Sequence, residues 1–269
     1  MPKDPAWMPN IGLIGTEHMS APIVARLVDA KYIVSMYAKK QQAGVTNVAK
    51  AGASSSGSIS QVLQKNDLIL LCLPRSEAAV NVIEKDLNPI LLKEKIIVDL
   101  GTTDLNETRR LSKFLKLRNA HFLDAPVTGG PRDVEKGRAS MFCGGKREVF
   151  ERCLKTFKVI TGLGSVTFCG AAGSGQIVKA VYDMSVGLTR AAILESIAFG
   201  MGQGMQREQL WEALEHTLPQ NIDIERIMAV MAMKGGGGLV QRARAAVLRE
   251  RRARSGNRGA ANECAGEFR

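Results

Sequence analysis

The feature that most constrains the fold is an apolar strand followed by a glycine turn and a helix close to the N-terminus. Residues 9–27 read PNIGLIGTEHMSAPIVARL, and residues 11–14 of this stretch are predicted to form a short buried strand. The chain is expected to turn at Gly15 and to enter a helix from about Met19. Strand, glycine turn and helix in this order begin a dinucleotide-binding unit, in which the N–H groups of the helix start bind a pyrophosphate.

The glycine fingerprint of such a unit is incomplete in this chain. When G-x-G-x-x-G is aligned on Gly15, Glu17 stands at the second glycine and Ser20 at the third. The second glycine lets the backbone approach the pyrophosphate, so Glu17 adds both a side chain and a negative charge there. Two like charges about 4 Å apart repel by about 1 kcal/mol in water and about 4 kcal/mol at a partly screened surface. We therefore expect Glu17 to weaken cofactor binding.

Further apolar runs predict that this unit belongs to a parallel sheet buried on both faces. Uninterrupted apolar strands that alternate with helices are typical of doubly wound α/β folds. The predicted strands after the first are residues 32–37, 67–73, 95–100, 121–124, 139–143 and 165–169. The predicted helical segments after the first are residues 76–93, which include a loop, 106–115 and 147–158.

The pattern changes after residue 170. A long helix is predicted from Gly173 to Gly200, and two more helices at residues 207–216 and 222–233. The glycine- and arginine-rich stretch that follows has low complexity and is predicted to be disordered. The sequence therefore predicts a Rossmann-type doubly wound parallel sheet and a smaller all-α domain, followed by a basic tail. The corresponding ranges are residues 1–170, 171–234 and 235–269.

The positive charge is concentrated in the tail. The net charge is +11, and residues 242–269 contribute +5 of it through eight arginines and three glutamates. An arginine-rich arm for nucleic acid is one interpretation of this composition. A solvated tail, or the out-of-frame end of a mis-predicted gene, explains the same composition and is favoured. No nucleic-acid partner is therefore expected.

The cysteines and the apolar segments indicate in which cellular compartment the protein is expected. The five cysteines form no Cys-x-x-Cys pair and no metal-ligand spacing, which predicts a reducing compartment and no metal site. No basic region followed by an apolar core marks a secretory signal, so a cytoplasmic location is expected and a mitochondrial one is left open. The apolar residues 184–205 include Arg190 and Glu195, which favours a packed core helix over a membrane span.

Four segments together resemble the β-hydroxyacid dehydrogenases, the family of 3-hydroxyisobutyrate and 6-phosphogluconate dehydrogenases. They are IGLIGTEHMSAPIVARL, LCLP, FLDAPVTGG and GSGQIVKAVYD, which start at residues 11, 71, 122 and 173. The APVTGG and GxGxxxK segments are the specific part, because they lie in the family's order about 45 residues apart, whereas a lone glycine fingerprint would be weak evidence. The likeness covers residues 9–234.

The resemblance implies hydride transfer between a nicotinamide and the carbon that bears the hydroxyl of a small acid. It assigns the catalytic lysine to Lys179 and the substrate-binding residues to Thr128, Gly129, Gly130 and Asp183. It also implies a homodimer formed through the helical domain. The residues that it assigns to the cofactor are Gly12, Gly15, Thr16, Glu17, His18, Met19, Lys39, Leu73, Pro74 and Thr102.

These residue types suit the chemistry. Oxidising an alcohol requires a base that takes the hydroxyl proton while the hydride leaves, and a lysine can serve as that base. A Gly-Gly pair exposes backbone N–H groups to a substrate carboxylate, and the Thr128 hydroxyl adds a hydrogen bond. Lys39 and Lys40 follow the second strand, where a basic residue accommodates a 2′-phosphate, so NADP is favoured over NAD. Two solvated lysines at a strand end are an equally good interpretation.

Two further departures from the family pattern lead to competing hypotheses. Asp183 replaces an asparagine four residues after Lys179, where it would stabilise the protonated lysine and repel an acidic substrate. An ordinary ion pair on the helix surface is the alternative interpretation. The tail stands where family members continue with further helices, so the helical domain is expected to be truncated. The first hypothesis is an NADP-preferring hydroxyacid dehydrogenase. The second is a catalytically lapsed homologue that keeps the fold as an interaction protein.

Overall fold

A computed structural model describes residues 7–16, 18–38 and 43–214 of the chain. Glu17, Lys39 and Lys40, the predicted helix at residues 222–233 and the basic tail lie outside the described residues. The chain divides into two compact units, Met1–Val181 and Tyr182–Arg269.

A nine-stranded sheet forms the centre of the first unit. Its described strands are β1 Ile11–Ile14, β2 Val34–Tyr37, β3 Ser54–Ser55, β4 Leu68–Leu71, β5 Ile96–Asp99, β6 His121–Asp124, β7 Val127–Thr128, β8 Ser140–Gly145 and β9 Val166–Gly170. They lie in the order β3-β2-β1-β4-β5-β6-β8-β7, and β9 pairs with β8. The first six are parallel, whereas β8 runs antiparallel to β6 and β7. The prediction of a doubly wound, mainly parallel sheet is confirmed.

Helices connect the strands and continue beyond the sheet. The described α-helices are α1 Ser20–Asp29, α2 Ala43–Lys50, α3 Ile59–Lys65, α4 Ser76–Asn81, α5 Leu105–Lys116, α6 Pro131–Glu135, α7 Arg147–Thr161, α8 Ser174–Gly202 and α9 Arg207–Leu214. A π-helical segment, Val82–Asp86, continues α4, and a short 3-10 helix follows at Pro89–Leu91. The predicted loop within residues 76–93 lies among these short elements.

The core lies on both faces of the sheet because successive strand residues point to opposite sides. In β4, Leu68 and Leu70 pack on the face covered by α1 and α7, whereas Ile69 and Leu71 pack on the face covered by α3 and α5. All four are fully buried. An uninterrupted apolar run therefore serves two cores at once, which is why these strands lack the alternation of a half-exposed sheet.

The register of the central strands brings their carboxyl ends to one level. Ile14 pairs with Leu71, Leu71 with Asp99 and Asp99 with Asp124. The segments that follow β1, β4, β5 and β6 therefore leave the same edge of the sheet. The strand order also reverses direction at β1, and ligands of open α/β sheets bind beside such a switch point.

The expectation of a packed core helix at residues 184–205 is wrong for the part of α8 that the structure describes. Only 11% of its most apolar window is buried, and the mean hydropathy of that window is 1.2. Ile193 and Ile197 are buried and pack with Leu194 and Leu210, while Leu188 and Phe199 are exposed. By length and composition alone α8 could cross a membrane, a property that it shares with core helices of soluble proteins.

Candidate active site

The turn between β1 and α1 requires a glycine. Gly15 has a φ of +100°, and a Cβ atom there would lie 2.1 Å from the carbonyl oxygen of Cys72. The N–H of Gly15 donates to the carbonyl oxygen of Tyr37 at 3.1 Å, which ties the turn to the end of β2. The turn therefore packs against the end of β2 and against the segment after β4.

The start of α1 suits an anionic group. Met19 precedes the helix and makes no side-chain capping hydrogen bond, and the first turn carries no acidic residue. The buried Ser20 hydroxyl has no hydrogen-bond partner among the described residues. Free N–H groups at a helix start attract a phosphate through their partial positive charge. The described residues thus fit the pyrophosphate of a dinucleotide, while Glu17 lies outside them.

The other residues assigned to the cofactor fall into two groups. Leu73 contacts the position that a Gly15 side chain would fill, and its carbonyl oxygen lies beside Gly101, so the loops after β1, β4 and β5 adjoin. Pro74, Thr102 and His18 are exposed near these loops, and Thr16 is half-buried.

Gly12 differs from the other assigned residues, because it is buried inside β1, where a Cβ atom would lie 2.4 Å from Val62 Cγ1. This close approach gives Gly12 a packing role against α3, and Lys39 lies outside the described residues.

Two buried carboxylates lie at the carboxyl ends of the adjacent strands β5 and β6. Asp99 accepts hydrogen bonds from Thr103 Oγ1 at 2.6 Å and from the N–H of Gly101 at 3.0 Å. Burial raises the pKa of Asp99 to about 6, and the negative charge of Asp124 acts in the same direction. Burial also raises the pKa of Asp124, opposed by the backbone N–H groups that donate to it. Both side chains are fully enclosed.

Asp124 and Gln176 connect the start of α8 to the sheet. Asp124 accepts from the N–H of Gly173 at 2.7 Å and from the N–H of Gln176 at 3.1 Å. The side-chain amide of Gln176 donates to the carbonyl oxygen of Gly101 at 2.9 Å. Lys179 is half-buried three residues further along the helix, and Asp183 is exposed in the second unit.

The Thr128-Gly129-Gly130 segment already holds a carboxylate of the chain itself. The N–H of Gly130 donates to Asp133 Oδ2 at 2.8 Å, and a Cβ atom on Gly129 would lie 2.8 Å from the same oxygen. The buried Thr128 donates through Oγ1 to the carbonyl oxygen of Ser140 at 3.3 Å. A substrate carboxylate at this segment would therefore compete with Asp133 for the Gly130 N–H.

Sequence reasoning overlooked four residues that organise this edge. Asp99 and Asp124 could have been found, because each is an acid that closes an apolar strand. Asp133 stands three residues after Gly130, the spacing at which an acid binds the free N–H of a helix start. Gln176 has no such signal, since its contact to Gly101 depends on how α8 packs on the sheet.

Comparison with known proteins identifies the family. A family profile, the NAD binding domain of 6-phosphogluconate dehydrogenase, matches residues 10–170. The chain belongs to the β-hydroxyacid dehydrogenases. It is 25% identical over 220 residues to the NAD-dependent L-serine dehydrogenase of Pseudomonas aeruginosa, covering 81% of this chain and 73% of that protein. It is 28% identical over 207 residues to mouse mitochondrial 3-hydroxyisobutyrate dehydrogenase, covering 76% of this chain but 61% of the relative.

A solved structure shares the fold. It is the 3-hydroxyisobutyrate dehydrogenase of Mycobacterium tuberculosis with L-serine, which matches with a TM-score of 0.71 at 22% identity. The match covers 78% of this chain and 71% of that one. At this identity the likeness concerns the fold.

We predict that Asp99→Asn removes a pH dependence of stability. The pKa of Asp99 is higher in the folded chain than its ordinary value of 3.8, so its contribution is greatest below pH 3.8 and is lost as the pH rises through about 6. A shift of this size corresponds to about 3 kcal/mol. Urea unfolding from pH 4 to 8 should show the free energy of the variant rising relative to the original chain as the pH increases. Parallel pH profiles would contradict the prediction.

We also predict that Asp133→Ala strengthens binding of a small carboxylate. Removing the internal carboxylate frees the Gly130 N–H and removes a like charge, which should tighten binding of 3-hydroxyisobutyrate roughly tenfold. Calorimetric titration in the presence of NADPH measures this. Asp67→Ala is the matched control, because Asp67 pairs with Lys95 at 3.0 Å just before β4, at the opposite edge of the sheet. Equal changes in both variants would indicate only an effect of net charge.

Proposed function

We propose that the chain is an NAD(P)-dependent oxidoreductase that oxidises the hydroxyl of a small 3-hydroxy acid, with NADP as the preferred cofactor. One observation carries the proposal: the Gly15 turn, the segment after β5 and the anchored start of α8 adjoin the carboxyl edge of one sheet. Family membership supports the reaction class, because the matching profile is a nicotinamide-cofactor domain. The names of the relatives support a small hydroxy acid as substrate.

The first role is binding of the cofactor. Gly15 and the uncapped start of α1 would hold the pyrophosphate, with Leu73, Pro74 and Thr102 along the same edge. Lys39 would accommodate the 2′-phosphate of NADP, since it follows β2 where the adenine ribose is expected. The nicotinamide supplies the hydride acceptor or donor when it is bound.

The second role is proton transfer. Lys179 would accept the hydroxyl proton as the carbon–hydrogen bond breaks and return it in the reverse direction. Thr128, Gly129 and Gly130 would orient the carboxylate of the acid, with Asp133 as an internal competitor. The Asp183 carboxylate, four residues after Lys179 on α8, would favour the protonated form of Lys179 and disfavour an acidic substrate.

A cofactor titration tests the first role. We expect NADPH to bind more tightly than NADH, and Glu17→Gly to bind NADPH at least about tenfold more tightly, because one like charge beside the pyrophosphate is removed. Fluorescence of the reduced nicotinamide measures both affinities. Glu94→Gly is the control, since it removes the same charge at an exposed position whose φ of +62° suits glycine. An unchanged affinity of the Glu17 variant would show that this carboxylate points away from the cofactor.

A turnover assay tests the second role. The full chain with NADP should oxidise 3-hydroxyisobutyrate, L-serine or a related 3-hydroxy acid, followed by absorbance of the reduced nicotinamide. Lys179→Met should lower kcat by roughly a hundredfold or more, as expected for loss of a general base. Lys155→Met, on the exposed face of α7, should leave kcat unchanged. No turnover of any 3-hydroxy acid despite tight NADPH binding would refute the proposed function and favour a lapsed homologue.

A further inference from the structure

The start of α8 is held to the sheet by a buried carboxylate. Asp124 closes β6, is fully enclosed, and accepts from the N–H of Gly173 through Oδ1 and from the N–H of Gln176 through Oδ2. The first N–H groups of a helix have no partner within the helix, so an acceptor at this place satisfies them. A negative charge there also interacts favourably with the helix dipole.

Two glycines allow this carboxylate to fit. A Cβ atom on Gly175 would lie 2.4 Å from the carbonyl oxygen of Phe142 and 2.8 Å from Asp124 Oδ2. A Cβ atom on Gly144, in β8, would lie 2.6 Å from Asp124 Oδ1. The first turn of α8 thus approaches the ends of β6 and β8 as closely as backbone can. The close fit leaves the helix start little freedom to shift.

A second contact fixes the helix start to the segment after β5. The Gln176 amide, 5% exposed, donates to the carbonyl oxygen of Gly101. Gly101 in turn donates its N–H to Asp99, whose other oxygen accepts from Thr103. One chain of hydrogen bonds therefore leads from β5 through the 101–103 segment to α8. The family resemblance assigns Thr102 of that segment to the cofactor.

We propose that Asp124 and Gln176 are positioning residues that fix Lys179 relative to the Gly101–Thr102 segment. Lys179 lies three residues after Gln176, on the same side of the helix and about 4.5 Å further along its axis. A shift or rotation of the first turn moves Lys179 with it. Misplacing a catalytic group by about 1 Å can lower a rate roughly a hundredfold. The position of Lys179 is therefore expected to affect the reaction rate strongly. The inference rests on the proposed role of Lys179.

The test uses Gln176→Met in the full chain, which preserves side-chain length but cannot donate to Gly101. Gln61→Met is the matched control, because the Gln61 side chain also makes one hydrogen bond, which it accepts from the N–H of Gly57 at 2.9 Å before α3. Gln176→Glu, of nearly the same volume, provides a second variant, since its carboxylate cannot donate. Two quantities are measured: kcat and KM for 3-hydroxyisobutyrate, and acetylation of Lys179 by limiting acetic anhydride relative to Lys155 in the same molecule.

We expect both Gln176 variants to lower kcat at least about tenfold while KM changes less than about threefold, because positioning affects the chemical step more than binding. The acetylation of Lys179, measured relative to Lys155, should differ at least threefold between the same variants and the wild-type chain. Wild-type kcat and acetylation in both would overturn the proposal, as would an equal change in Gln61→Met.

The acetylation measurement separates this inference from the proposed function. If the wild-type chain oxidises no 3-hydroxy acid, the proposed function fails, yet the placement of Lys179 is still measured. A change in Lys179 acetylation confined to the Gln176 variants then supports the positioning role of Gln176, and the absence of that change overturns it.

Discussion

The burial of the Asp124 carboxylate is the interaction on which the candidate site depends most. A carboxylate without water is costly unless several donors compensate it, and here the donors are the N–H groups at the start of α8. Neither partner could be buried alone: the helix start would lose its acceptor, and the carboxylate would lose its donors. The sheet edge and the helix therefore require each other. The acid at the end of β6 thus stabilises the start of the helix that carries Lys179.

The sequence predicted the architecture well where a physical signal was strong. In β1, β4 and β5 the side chains that point to either face of the sheet are apolar. This pattern is typical of strands that are buried on both faces. Short elements escaped prediction. β3 and β7 contain two residues each, and both depend on a neighbouring strand for their hydrogen bonds. α2 and α3, of eight and seven residues, were also missed, although Ile59, Val62 and Leu63 of α3 recur at helical spacing.

The site was predicted less completely than the fold. Gly15 could be recognised from sequence, since a turn of left-handed φ after a buried strand calls for glycine. The Gly129-Gly130 pair was also recognisable, but its occupation by Asp133 was not anticipated, although the spacing of a capping acid was available. Gln176 lay beyond sequence reasoning because its partner, the Gly101 carbonyl, is 75 residues away. Contacts between distant segments follow from packing and leave no local pattern.

The common level of the strand ends has a consequence for how such a chain can diversify. β1, β4, β5 and β6 end in register, so the segments that follow them leave the two cores at one edge of the sheet, although Cys72, Leu100 and Ala125 at their starts are still buried in the core. Mutations at the exposed positions of those segments, such as Pro74 and Thr102, change what the edge presents to a ligand, while the stability of the sheet is largely unaffected. Substrate specificity and the stability of the fold can then change independently. One fold can therefore acquire new substrates through mutations at this edge. Asp124 and Gly15 are exceptions, since a mutation at either would alter both at once.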